Sequence, residues 1–167
     1  MNMQREIANW DGKAIDVLQA VYDCNSQDAG FDSELVRMLK SPATQAGASW
    51  LLKQYLEDGC VLKVAETRSV FRSLAGLEDW QSKLHLLQCL SYLTVRKRDV
   101  TLVEPFLRAC LDEKNKFVRA WAYNGFYELA LQYPSYQAEV DQLLEQGMQD
   151  EAASVKARIR NIRKVGR

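Results

Sequence analysis

One histidine, three prolines and no C-x-x-C pair leave this chain of 167 residues poorly supplied for several kinds of chemistry. His85 stands alone, and no Ser-His-Asp or Cys-His spacing gives it the positioned partner that a general base needs. Ligand-spaced histidines and cysteines are absent, so neither a metal site nor a metal cofactor is expected. No phosphate-cradling glycine loop, H-E-x-x-H, nucleophile elbow or dinucleotide fingerprint occurs. These gaps point away from the common enzyme classes, and the expectation is a non-enzyme without a cofactor.

An excess of either charge is also missing. The 22 basic and 22 acidic residues cancel, so bulk electrostatics do not mark a polyanion binder. No stretch approaches the ~18 apolar residues of a membrane span, and the first residues lack the apolar run of a signal peptide. Cys24, Cys60, Cys89 and Cys110 are widely spaced and read as reduced, mostly buried thiols. A cytoplasmic location with no membrane partner follows as the expectation. Few prolines, eight glycines and no low-complexity stretch leave no visible linker, and one domain over residues 1–167 is the economical reading.

What is abundant is helical periodicity, with no support for strands. A first helix spans residues 13–24, with Ile15, Leu18, Val21 and Tyr22 on one face. Asp32 or Ser33 then caps a helix to Lys40, and Ser41-Pro42 signals a start for the next, to Glu57. Residues 64–75 and 79–95 make another pair. Thr101-x-x-Glu104 reads as a capping box, with Pro105 still in the first turn. Asn115 caps residues 116–132, Tyr133-Pro134-Ser135 breaks the chain, and 136–148 and 151–165 form the last pair. The second helices thus start at intervals of 35 to 38 residues.

One segment recurs 37 residues on: Val118-Arg119-Ala120-Trp121-Ala122-Tyr123-Asn124-Gly125 returns as Val155-Lys156-Ala157-Arg158-Ile159-Arg160-Asn161-Ile162. Helix pairs at a fixed period are the sequence mark of a stacked helical array. Asp112-Glu113, a short turn, then Val118-Arg119, Ala122 and Gly125 resemble the HEAT-repeat pattern, and Asp150-Glu151, Val155-Lys156 and Asn161 keep much of it. The likeness is close in the C-terminal half and rests on period alone before it. Ala122, Phe126 and Pro134 also satisfy half of the tetratricopeptide pattern, whose first-helix half is missing. The resemblance implies an all-α fold, a right-handed α-α superhelix of the HEAT-like solenoid kind, with an N-terminal helix and about four helical hairpins.

Such arrays present extended surfaces, usually lined by the second helices. With Val118, Trp121, Ala122, Gly125 and Leu129 as the buried stripe, Arg119, Tyr123 and Tyr127 fall on a neighbouring exposed strip. One repeat forward gives Lys156, Arg160 and Lys164. Backward steps give Gln81, His85 and Cys89, then Gln45, Ser49 and Lys53. Lys53, His85, Arg119, Tyr123, Tyr127, Lys156, Arg160 and Lys164 are therefore the candidate partner-binding residues. A structural reading stands beside this one: Arg119 and Lys156 pair with acids of the turns such as Glu113 and Glu151, and the tyrosines pack between hairpins. Trp50, Trp80 and Trp121 read as core, and Trp10, before the first firm helix, as a cap residue sealing the end of the stack. The function expected is an adaptor or scaffold holding a protein partner on its concave face. The alternative is a nucleic-acid binder related in fold to HEAT-like DNA glycosylases, with Lys53, Arg119, Lys156, Arg160 and Lys164 tracking phosphates. HEAT-like bilin lyases share only the repeat.

Overall fold

The computed structural model describes residues 2–166, in which ten α-helices and four short 3-10 turns make up the regular structure. No strand occurs among the described residues. Met1 and Arg167 lie outside them. The chain packs as two compact units, divided between Leu93 and Thr94.

The N-terminal unit contains α1 (Met3–Ala8), α2 (Ile15–Asn25), α3 (Phe31–Met38), α4 (Gln45–Glu57), α5 (Val64–Ser73) and α6 (Trp80–Cys89). Helix α3 packs on α4 and α5, and α4 packs on α6, α2 and α1. Leu18, Leu35, Leu51, Leu52, Phe71 and Leu86 are all at or below 1% exposure and form the core. Helix α1 was too short for periodicity to reveal. It is held by Asn2, whose Oδ1 accepts from the Arg5 amide at 3.2 Å, and by Ile7, which is only 2% exposed. Ile7 lies so close to Gly47 of α4 that a Cβ there would stand 2.9 Å from its Cγ2.

Two helix starts in this unit differ from expectation. Helix α3 opens at Phe31 after Gly30, whose φ of 84° suits a residue without a Cβ. Ser33, expected near the cap, instead donates its hydroxyl to Glu66 at 2.8 Å. Ser41-Pro42 begins a turn rather than α4 itself. The Ser41 carbonyl accepts from the Thr44 and Gln45 amides, and the Thr44 hydroxyl donates to the Met38 carbonyl at 2.7 Å.

The C-terminal unit contains α7 (Val100–Leu111), α8 (Lys116–Gln132), α9 (Gln137–Asp150) and α10 (Ala153–Val165). Helix α8 packs against all three others, which explains why Val118, Ala122, Phe126 and Leu129 are each at or below 2% exposure. Asn115 caps it as expected, with Oδ1 accepting from the Phe117 amide at 2.9 Å. The capping box at Thr101 does not form. Asp99 holds the N-cap position, Thr101 donates to the Arg98 carbonyl, and Glu104 turns to Arg108 and Tyr136. A cation and a phenol satisfy that carboxylate better than one exposed amide does. Because α7 starts at Val100, Pro105 lies beyond the first turn, inside the helix.

Side-chain bonds between elements repeatedly span about one repeat. Tyr22 donates to Asp58 at 2.6 Å, 36 residues on. The Val95 amide donates to Gln132 at a separation of 37 residues, and the Tyr133 hydroxyl donates to the Val95 carbonyl across 38. A helical repeat is compatible with this pattern, since the same groups of neighbouring hairpins meet once per period.

Candidate docking site

The N-cap residues Asp79 and Asn115 set α6 and α8 in register 36 residues apart. Burial obeys that offset: Ser82, Leu86 and Cys89 are interior in α6 where Val118, Ala122 and Gly125 are interior in α8. The strip drawn from sequence used an offset of two more. Its N-terminal members therefore land in the α4–α6 interface instead of on a surface. Gln45, Ser49 and Cys89 are at 0% exposure, and His85 is at 9%.

The His85 Nδ1 and the Ser49 hydroxyl lie 2.9 Å apart, and Ser49 also donates to the Ala46 carbonyl. Burial first, and the Lys53 ammonium second, push the His85 pKa down to about 4, so the ring is neutral near pH 7. Burial also raises the Cys89 thiol well above its usual value, which removes its nucleophilic thiolate. Lys53 is half-buried and paired with Glu57 at 2.7 Å. The group is an internal polar contact, closed to any large ligand.

In the C-terminal unit Arg119 ties two turns together. Its Nε donates to Glu151 at 2.9 Å, and Nη2 donates to the same carboxylate at 3.1 Å. Nη1 donates to the carbonyls of Glu113 and Lys114, each at 2.9 Å. The guanidinium thus joins the α7–α8 turn to the α9–α10 turn, using its planar fork in the way only arginine can. Tyr123 is 8% exposed, not part of an open strip. Its ring packs on Gly147 of α9, where a Cβ would stand 3.0 Å from Cζ and 2.6 Å from Ile159 Cδ1. Burial, with Glu151 next, raises the Tyr123 phenol above its ordinary pKa.

Four expected core or thiol assignments also shift, and Trp50 is half-buried. Trp80 is 43% exposed, and Cys24 is exposed. Trp121 is half-buried, because its face is covered by the Arg158 guanidinium, 4.0 Å from the ring centroid. Trp10 is half-buried just before α2 and donates from Nε1 to the Ala14 carbonyl at 2.9 Å.

Tyr127 is half-buried and stands between two depressions. The first, about 430 Å³, is lined by Tyr127, Leu131, Leu144, Ile162 and Gly166, with Gln137, Asp141 and Arg163 at its polar edge. The second, about 130 Å³, lies between α8 and α10 and is lined by Asn124, Tyr127, Glu128, Arg158, Asn161, Ile162 and Val165. Leu131 and Val165 are 58% and 75% exposed. Arg160 and Lys164 are exposed and Lys156 is half-buried, all on α10. Among the described residues no cluster of His, Cys, Asp and Glu is arranged to hold a metal ion, and no helix is long and apolar enough to cross a membrane.

Comparison with protein-family models, with curated proteins and with solved structures returns no match for this chain.

Of the residues picked from sequence, Tyr127 alone lines both depressions. Leu131, Glu128, Arg158 and Val165 were missed. Leu131 and Val165 carried a signal, since each is a large apolar side chain outside the buried stripe of its helix. Glu128 and Arg158 carried none, because only the packing of α10 on α8 brings them to one pocket.

Proposed function

We propose that this chain is a non-enzymatic adaptor, a HEAT-like right-handed superhelix of helical hairpins that holds a protein partner on its C-terminal unit around Tyr127. The observation that carries this reading is the pairing of two open depressions with large apolar side chains left in water at Leu131 and Val165. Apolar side chains flanking a concave site favour burial by a partner, at roughly 25 cal/mol per Å² of apolar surface removed from water. Tyr127 adds a flat ring and a hydroxyl, the residue type that commonly anchors interfaces. The partner segment covers Leu131 and Val165 and places side chains on either side of Tyr127.

The test is a pull-down from nuclease-treated lysate, comparing the wild type with a Tyr127→Ala, Leu131→Lys, Val165→Glu triple variant shown to melt normally. A protein held by the wild type and lost by the variant supports the adaptor. Equal retention by both moves the binding surface elsewhere.

A second reading rests on α10. Lys156, Arg160 and Lys164 follow one another at i, i+4 steps along one face, and none has an ion-pair partner among the described residues. Such a row can track phosphates. Nucleic-acid binding would then weaken steeply between low and physiological salt and drop in an Arg160→Glu, Lys164→Glu variant.

A further inference from the structure

The polar pocket beside Tyr127 differs from the rest of the surface in what its side chains leave unused. Elsewhere carboxylates mostly find a partner: Glu34 has Arg37, Glu57 has Lys53, Glu104 and Glu139 have Arg108, Glu145 has Arg163, and Glu151 has Arg119. Glu128 has no hydrogen bond and no cation among the described residues, although it is half-buried. Arg158 lines the same pocket, but its guanidinium is laid on the Trp121 ring. The Asn124 and Asn161 carboxamides and the Tyr127 hydroxyl are equally unpaired among the described residues. Asn124 and Glu128 stand one turn apart on α8, and Asn161 faces them from α10, with Ile162 and Val165 supplying an apolar wall.

We infer that this pocket receives a lysine or arginine side chain of a protein partner, with the Glu128 carboxylate as its counter-ion, Asn124 and Asn161 as hydrogen-bonding neighbours, and Ile162 and Val165 against its aliphatic stem. With the Arg158 guanidinium laid on the Trp121 ring, the Glu128 carboxylate is the charge the pocket leaves free. A half-buried carboxylate with no partner pays desolvation without a compensating attraction, and its pKa is raised by burial alone. A cation restores that attraction, whereas an acidic side chain faces a like charge. The long stem of lysine or arginine also matches an apolar wall leading to a polar end. Leu131 and the larger depression across Tyr127 accept a neighbouring apolar residue, so the motif sought is a basic residue close to an apolar one.

This inference rests on the adaptor reading, and the test separates the two. The probe is a positional-scanning library of short peptides, each sublibrary fixing Lys, Arg, Glu, Leu or Ala at one position, applied to the full chain. Binding is compared for wild type, Glu128→Gln and Glu128→Lys, each shown to melt like the wild type. The expected result is enrichment of Lys and Arg at one position, weakened about tenfold by Glu128→Gln as a charge-assisted contact is lost. Glu128→Lys should shift the preference at that position to Glu. Apolar selection at a nearby position should survive both changes and disappear in Leu131→Lys. Peptide binding with no basic preference, or with one that Glu128→Gln leaves intact, overturns the pocket assignment while the adaptor stands. No binding by any sublibrary overturns both.

Discussion

The two second-helix interfaces use equivalent positions in opposite ways. Between α4 and α6 the polar groups are shut in: Ser49 meets His85, Gln45 accepts from the Glu78 amide at 2.7 Å, and Cys89 is wholly buried. Between α8 and α10 the residue matching His85 is Trp121, and Gly125 takes the place of Cys89. Trp121 is half-buried, with the Arg158 guanidinium laid over its ring. Asn124, Glu128 and Asn161 are left lining the pocket that Arg158 also lines, rather than bonded across the interface. Similar spacing therefore accompanies a sealed polar contact in one unit and an open one in the other.

Acid should break the sealed interface first. The His85 pKa falls from 6.5 unfolded to about 4 folded, so the unfolded chain binds the extra proton between those values. Stability is fully present above about pH 6.5 and is lost as pH falls toward about 4, by about 3 kcal/mol in all. Denaturant melts from pH 7 to 4 check this, and His85→Gln should flatten the slope over that window.

The next largest effect belongs to Arg119. Arg119→Ala leaves the Glu151 carboxylate with only the Ala152 amide and takes a donor from two turn carbonyls, at a cost of about 2 kcal/mol. At this chain length that lowers Tm by roughly 4–8 °C. Arg119→Lys should recover only part of the loss, because a single ammonium cannot span the three acceptors.

Gly147→Ala puts a methyl group 2.6 Å from Ile159 Cδ1 and 3.0 Å from the Tyr123 ring. The expected destabilisation is about 1–2 kcal/mol, read as a lower Tm. Tyr123→Leu in the same background should return part of it by removing the ring that the methyl group meets.

Smallest are the changes on the open side. Glu128→Gln removes a half-buried charge that has no partner, so Tm should stay level or rise slightly, by about 0.5 kcal/mol equivalent. Leu131→Lys, at a side chain already in water, should stay within about 0.5 kcal/mol of wild type. A large loss from either would show that the α8–α10 face is structural and would remove the basis for docking there.

Legibility in the sequence tracked how local each cause was. Asn115 before an apolar rhythm fixed the start of α8, since the cap acts over three residues. Arg119 was readable as a brace to a turn acid because Glu151 belongs to the repeat at a known step. The strip through His85 was not, since a register error of two residues rotates a helical position by more than half a turn. Tyr123 looked exposed on a helix wheel that knew one buried face. The packing of α9 as well as α7 and α10 on α8 covers it.

By itself, then, the sequence determined the all-α class, most of the helices and a recurrence near 36 residues, because apolar spacing, caps and breakers act within a few turns of chain. Only tertiary structure decided which polar residues were enclosed and which were left unpaired. That choice depends on how closely two helices approach, and so on the sizes of side chains far apart in sequence: His85 beneath Ser49 in one unit, Trp121 beneath Arg158 in the other.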